Sequence, residues 1–497
     1  MRGLLIFMAG AVVAFLATPA AAQMKIPTDM DTTCQVDSKT FNSWFTGGKP
    51  TANGPVNPAS SVSFTTDHPN DGGGPNVCNF YQWGAQMFLW LTSPEGDGLV
   101  LDGPSVFTVT PINAAGTRRQ LIPNTSGANY PMALRSGKVD DIGEVGQAGE
   151  PSHGVLLSQQ KALVYYGIHA NDVYGYFLSG QKTDGIKGAT DFPRNQGDLE
   201  SVMAYAQSTY GAKMANQGAL AIEMKTSWVD ASTVPDRSTY VTVNADVPVY
   251  TADKTNTSWT SKEHKNKTLA LTGIHIVGTV QDHPEFVWAT FEHVSNAPDA
   301  DYYYTNASKQ TVKQPFSSAG DFLFMANGGA QAGANTPCMW ASGETIVANT
   351  VNPTAPTAIC PGGIVPSNTV RQAPWGSPAA TQTESVLKNN TLLLSINNSV
   401  RTQLDHGDLR RNYVQVGGIW TTTPPDGGDA PIPDQNGDQS SNLRGSLILS
   451  NATMETYTQG RNCFDCHSLD KKAKDSFGAY ELSHIYSTID PLPKPKN

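Results

Sequence analysis

The residues best suited to chemistry lie near the end of the chain, in Arg461-Asn462-Cys463-Phe464-Asp465-Cys466-His467. Two cysteines three apart, with histidine directly after the second, form the attachment pattern for c-type haem. On a helical turn, positions i and i+3 share a face, so the thiols of Cys463 and Cys466 can each reach one vinyl group of the same porphyrin. His467, at i+4 from Cys463, rises on that face and offers a ring nitrogen to the iron. Three other chemistries use similar residues. A thioredoxin-like pair expects a strand leading in, whereas residues 450–460 are polar and turn-rich. A zinc ion needs a fourth ligand, and adjacent Cys466 and His467 suit one tetrahedral ion poorly. A disulfide between Cys463 and Cys466 would close a very short, strained loop.

The second axial position separates a carrier from a catalyst, because two strong protein ligands close the iron to substrate. His484, in Ser483-His484-Ile485-Tyr486, is the first candidate for it, and Met454 a weaker alternative. A residue lent by the rest of the chain is the third possibility. Further ionisable residues cluster in two stretches. Glu223 and Lys225 alternate with Leu220, Ile222, Met224 and Trp228, which predicts a strand with the charges on one face. Leu269, Leu271, Gly273, His275 and Val277 are expected to share one face of a second strand. A turn at Asp282-His283-Pro284 and a strand ending in Glu292-His293 then suggest an antiparallel hairpin. His275, Glu223, Lys225, Glu292 and His293 are therefore candidate acid–base groups. Cross-strand ion pairs and a satisfied core histidine are the competing assignments.

These residues need a scaffold. Glycine (46) and proline (33) are abundant and the apolar runs short, which predicts an α+β, β-rich fold: an antiparallel-sheet body, a few helices and long loops. Helical spacing of Phe80, Trp83, Met87, Trp90 and Leu91 predicts a helix over 78–91, ended by Pro94. Further helices are expected at 199–210 and 385–404. The expected division is a leader at 1–22, a body at 23–440 and a haem-bearing segment at 441–497.

Arg2, the apolar run 4–16 and Ala20-Ala21-Ala22 read as an export signal cleaved near Ala22, with an uncleaved anchor as the alternative. No later stretch has the length and apolarity of a membrane span. Export places the chain in an oxidising compartment, most simply the periplasm. Four cysteines remain beside the haem pair: Cys34, Cys78, Cys338 and Cys360. Three pairings are possible, of which Cys34–Cys78 and Cys338–Cys360 close the shortest loops; free buried thiols are the alternative. The formal charge of −10 excludes nucleic acid as an obvious partner. Lys471, Lys472, Lys474, Lys494 and Lys496 form a basic exception that could dock an acidic redox partner or simply be solvated.

The stretches Asn451–Tyr457, Cys463-x-x-Cys466-His467 and Ser483–Tyr486, together with Ile222–Trp228, Gly273–Val277, Phe286–His293 and Gln82–Leu91, resemble exported bacterial proteins of the cytochrome c family. That resemblance implies a single C-terminal haem c and a β-rich body, and names no settled reaction. The expected function is that of a periplasmic monohaem redox protein: an oxidoreductase acting on a small organic molecule, or its electron-transfer component. A docking protein without substrate chemistry, and an exported binding protein without haem, are the alternatives.

Overall fold

The computed structural model describes residues 22–64, 77–110, 112, 118–124, 132–133, 153–189, 191–342, 345–348, 362–366, 368–378, 381–421, 443–465, 467, 479–483 and 485–495. The leader (1–21), Cys360, Cys466, His484 and the lysines 471, 472, 474 and 496 fall outside these residues.

The fold is α+β and β-rich. Among the described residues, thirteen strands join one sheet. Nine of them frame the site: β1 (Val106–Val109), β2 (Leu121–Pro123), β3 (Tyr165–Asn171), β4 (Ile222–Asp230), β5 (Thr242–Ala252), β6 (Ser258–Val280), β7 (His283–His293), β8 (Tyr413–Thr421) and β9 (Leu443–Gly445). Their order is β9-β8-β7-β6-β4-β3-β1-β2, antiparallel throughout, while β5 pairs with the first half of the long β6. The β6–β7 hairpin closes between Val280 and His283, with Asp282 in the left-handed region at φ 64°. A short polar side chain tolerates that conformation at a tight turn. Five helices accompany the sheet: α1 (Ser38–Trp44), α2 (Val77–Leu91), α3 (Asp172–Lys182), α4 (Gln196–Tyr210) and α5 (Glu384–Gln403).

The two sheet faces do different work. Ile222, Met224 and Trp228 of β4, with Val287, Ala289 and Phe291 of β7, join the aromatic stripe of α2 in the largest apolar core. Phe88 stacks on Phe291 and Phe80 on Trp420, at 4.6 and 4.4 Å. The stripe is thus core packing. Leu220 does not follow its expected companions; it caps a short turn at φ 60° and packs in a second cluster with Phe192 and Phe286.

The expected face of β6 also needs correcting. A register shift between Leu271 and Gly273 places an extra residue, Thr272, opposite β4. Such a bulge reverses the inward–outward alternation beyond it. Leu269 and Leu271 therefore share the main core with Ile274 and Ile276. His275 and Val277 are turned to the opposite face, beside Glu223 and Lys225 of β4.

The described residues of the C-terminal stretch, 443–465, 467, 479–483 and 485–495, cover that opposite face. Leu443–Gly445 extends the sheet as β9, and the loop 451–455 is fastened to it by side chains. Asn451 Nδ2 donates to Thr290 Oγ1 (2.9 Å) and to the Phe291 carbonyl (3.0 Å), and Thr453 Oγ1 meets Ser227 Oγ at 2.8 Å. Gly273 permits the close approach: a Cβ there would lie 2.6 Å from Thr453 Oγ1. Cys34 and Cys78 form a disulfide that ties the first described loop to α2. Cys338 is also disulfide-bonded.

Candidate functional site

Between the sheet and its C-terminal cover lies a cavity of about 650 Å³, open mouth included. Glu223, Lys225, His275, Val277 and Trp288 line it from the sheet, and Leu449, Glu455, Thr458, Arg461, Cys463 and His467 from the cover. Three of the five acid–base candidates thus meet the haem motif in one place.

The motif lies on a helical turn. Asn462 Oδ1 accepts from the backbone N–H groups of Phe464 (2.9 Å) and Asp465 (3.2 Å), starting the turn as a side-chain cap. His467 N–H donates to the Cys463 carbonyl at 2.8 Å, the i to i+4 bond that places both residues on one face. The ring of His467 is buried against Trp288, with centroids 4.5 Å apart. Its Nδ1 lies 2.8 Å from the Leu482 carbonyl, which can only accept. The proton of the neutral ring is therefore on Nδ1, and the lone pair is on Nε2. Metal-binding histidines are commonly oriented in this way, by a carbonyl on the other nitrogen.

His275 faces the cavity with 14% of its side chain exposed, and its Nε2 lies 2.8 Å from Glu455 Oε1, whose side chain is 12% exposed. The second Glu455 oxygen accepts the Asn451 N–H at 3.0 Å, so the loop docking described above also aims this carboxylate. Glu223 accepts from the Ser483 hydroxyl, which in turn meets Tyr174 OH at 2.9 Å. Lys225 stands opposite His275 in the β4–β6 register.

Glu292 and His293 do not join them. Neighbours on a strand point to opposite faces, so this adjacent pair cannot act together. Glu292 is fully buried 3.0 Å from Arg371 Nη1; it also accepts from Asn296 Nδ2 and contacts the Ala452 N–H. Burial pushes its carboxyl up, and Arg371 opposes the shift. His293 is a satisfied core histidine. Nε2 donates to the Thr239 carbonyl, Nδ1 accepts the Ser295 N–H, and the ring stacks on Tyr240 with centroids 3.7 Å apart. Burial lowers its pKa to about 3. Met454 packs among Tyr166, Val229 and Phe324 and is not on the cavity wall.

No family model, curated protein or solved structure matches this chain. The site must therefore be read from its own chemistry.

The residues present fit a c-type haem. Cys463, the His467 ring and the apolar Val277 and Trp288 line the same cavity. The buried Thr458 hydroxyl on its wall has no hydrogen-bond partner among the described residues, which leaves it open to a ligand. Sequence reasoning missed Glu455, Thr458 and Arg461 as site residues. The sole local signal was their proximity to the cysteines; their juxtaposition with β4 and β6 is tertiary.

Proposed function

We propose that this chain is an exported, monohaem c-type redox protein, related in kind to the cytochrome c proteins it resembles, working in the periplasm after loss of a leader near Ala22. The observation that carries the reading is that Cys463 and the oriented ring of His467 open into one cavity with the His275–Glu455 pair. Cys463 and Cys466 would hold the macrocycle and His467 Nε2 would face the iron; the haem so held supplies one-electron chemistry. The Cys34–Cys78 disulfide supports an oxidising compartment, and among the described residues no helix is long and apolar enough to cross a membrane.

The sheet wall favours an oxidoreductase acting on a small organic molecule. A simple carrier needs only an apolar jacket, whereas this wall holds a histidine whose Nε2 is bonded to a carboxylate and a second carboxylate in a hydroxyl network. The Glu455 carboxylate, bonded to Nε2, orients the His275 ring, so the pair could hold or pass a substrate proton at the cavity wall. The competing assignment is electron transfer without substrate chemistry, in which the body only encloses the haem.

The test is expression with haem-attachment machinery. A covalent haem band that survives denaturation is expected in the natural chain and is lost when Cys463→Ala and Cys466→Ala are combined. Its absence from the natural chain rejects the haem reading. Carbon monoxide binding to the reduced protein supports the oxidoreductase; an iron closed to it, with a spectrum indifferent to small organic molecules, supports the carrier.

A further inference from the structure

Around the cavity, the acidic groups are engaged and the basic ones are not. Glu455 is held by His275 and the Asn451 N–H, and Glu223 by Ser483. By contrast, the Lys225 ammonium and the Arg461 guanidinium make no hydrogen bond or ion pair among the described residues, although both line the cavity. Lys225 is half-buried in the centre of β4, between β3 and β6, where an unpaired charge is unfavourable. The partnerless Thr458 hydroxyl, on the same wall, adds a neutral donor.

We propose that Lys225, Arg461 and Thr458 form a carboxylate-binding subsite of this cavity. A carboxylate is acceptor-only, can receive the guanidinium fork bidentately, and gives charge-assisted hydrogen bonds about twice as strong as neutral ones. Arg461 is exposed at the mouth of the cavity, where water can solvate it, whereas a neutral ligand would leave the half-buried Lys225 charge without a counter-charge. The carboxylate has two possible sources: the propionates of a bound haem, which rests on the reading above, or a free organic acid, which does not.

The experiment uses the full-length protein, with succinate and the uncharged succinamide as probes, followed by titration calorimetry. Haem-loaded protein is also examined by resonance Raman in the propionate region and by redox titration. If the subsite serves a free acid, succinate binds saturably, succinamide does not, and Lys225→Met or Arg461→Gln weakens binding by about tenfold or more. If it serves the propionates, haem-loaded protein ignores succinate. Both variants then shift the propionate bands and lower the reduction potential, because a cation favouring the reduced state has gone. Lys225→Arg retains the natural behaviour in either case, which separates charge from folding damage. Unchanged succinate binding together with unchanged propionate bands and potential would overturn the subsite. Failure of haem attachment is scored separately by the covalent haem band, and the succinate titration still decides the subsite in haem-free protein.

Discussion

Arg371 offers the sharpest test of how the scaffold holds the site. It is about 1% exposed and lies between two buried carboxylates, with Nε 2.6 Å from Asp299 and Nη1 3.0 Å from Glu292; Nη2 also donates to the Ala297 carbonyl. Burial works against its charge, but the two carboxylates more than offset this and raise its pKa. Arg371→Met would leave two buried carboxylates with no cation between them, a loss of about 3–5 kcal/mol. Glu292→Gln leaves a neutral Arg371–Asp299 pair and an amide that still accepts a hydrogen bond, so it should cost only about 1 kcal/mol. Adding Glu292→Gln and Asp299→Asn to Arg371→Met should recover more than half of the deficit. The pH dependence has a definite sign. Without Arg371, only the Asn296 and Ala452 hydrogen bonds oppose burial at Glu292 and no cation opposes it at Asp299, so both folded pKa values rise further above the ordinary 4.5 and 3.8. Groups raised in the folded state stabilise it at low pH and lose that contribution as pH climbs through the folded values. The Arg371→Met deficit should therefore shrink between pH 7 and pH 5. Urea unfolding followed by tryptophan fluorescence measures it. A deficit no larger than that of Glu292→Gln at pH 7, or one that grows on acidification, would refute the reasoning.

His293, lowered to about 3 by burial from an ordinary 6.5, stabilises the fold fully above pH 6.5 and progressively less below it. His293→Gln should therefore flatten the stability profile by about 1.4 kcal/mol per pH unit between 6.5 and 3, while Asp172, raised to about 7 by burial, tilts both profiles the other way; parallel profiles from urea titrations at stepped pH would count against it. Replacing Cys34 and Cys78 together with serine opens a loop of sequence separation 44 and should lower stability by up to about 4 kcal/mol, and reductant should then lower the midpoint by less than it does in the natural chain, since only the Cys338 disulfide is left to reduce. Gly273→Ala puts a methyl against Thr453, Ser227 and Asn451 and should cost about 1–3 kcal/mol, with faster amide exchange across 451–455; unaltered exchange there would show that the loop is not fastened through this contact.

Much of the fold was legible in the sequence where one periodicity ran unbroken. The stripe Phe80, Trp83, Met87, Trp90 and Leu91 marked α2 to within a residue, and alternation in β4 put Glu223 and Lys225 together on the site face. The β6 face was misread because a bulge is a local insertion with no periodic signature: Thr272 shifted His275 away from Leu269 and Leu271. Glu292 and His293 looked like a functional pair because they adjoin in sequence and carry the right chemistry, but alternation sends one to Arg371 and the other to Tyr240. Glu455 was unreadable for a different reason. Its meaning comes from His275, and nothing local announces a contact across 180 residues.

The fastening of the loop 451–455 and of Ser483 over β4, β6 and β7 also sets an order of events. The contacts that close the cavity join residues 180, 226 and 260 positions apart: His275 with Glu455, Ser227 with Thr453, and Glu223 with Ser483. Contacts of such span carry the largest loop-closure entropy and wait until the sheet they land on exists. During that interval Cys463 is presented on an unseated strap. Once the strap seats, the same contacts become a latch. On the proposed haem reading, maturation would then be a race between cofactor capture and closure, and mutations that speed docking of the loop 451–455 would lower cofactor yield without harming the folded product.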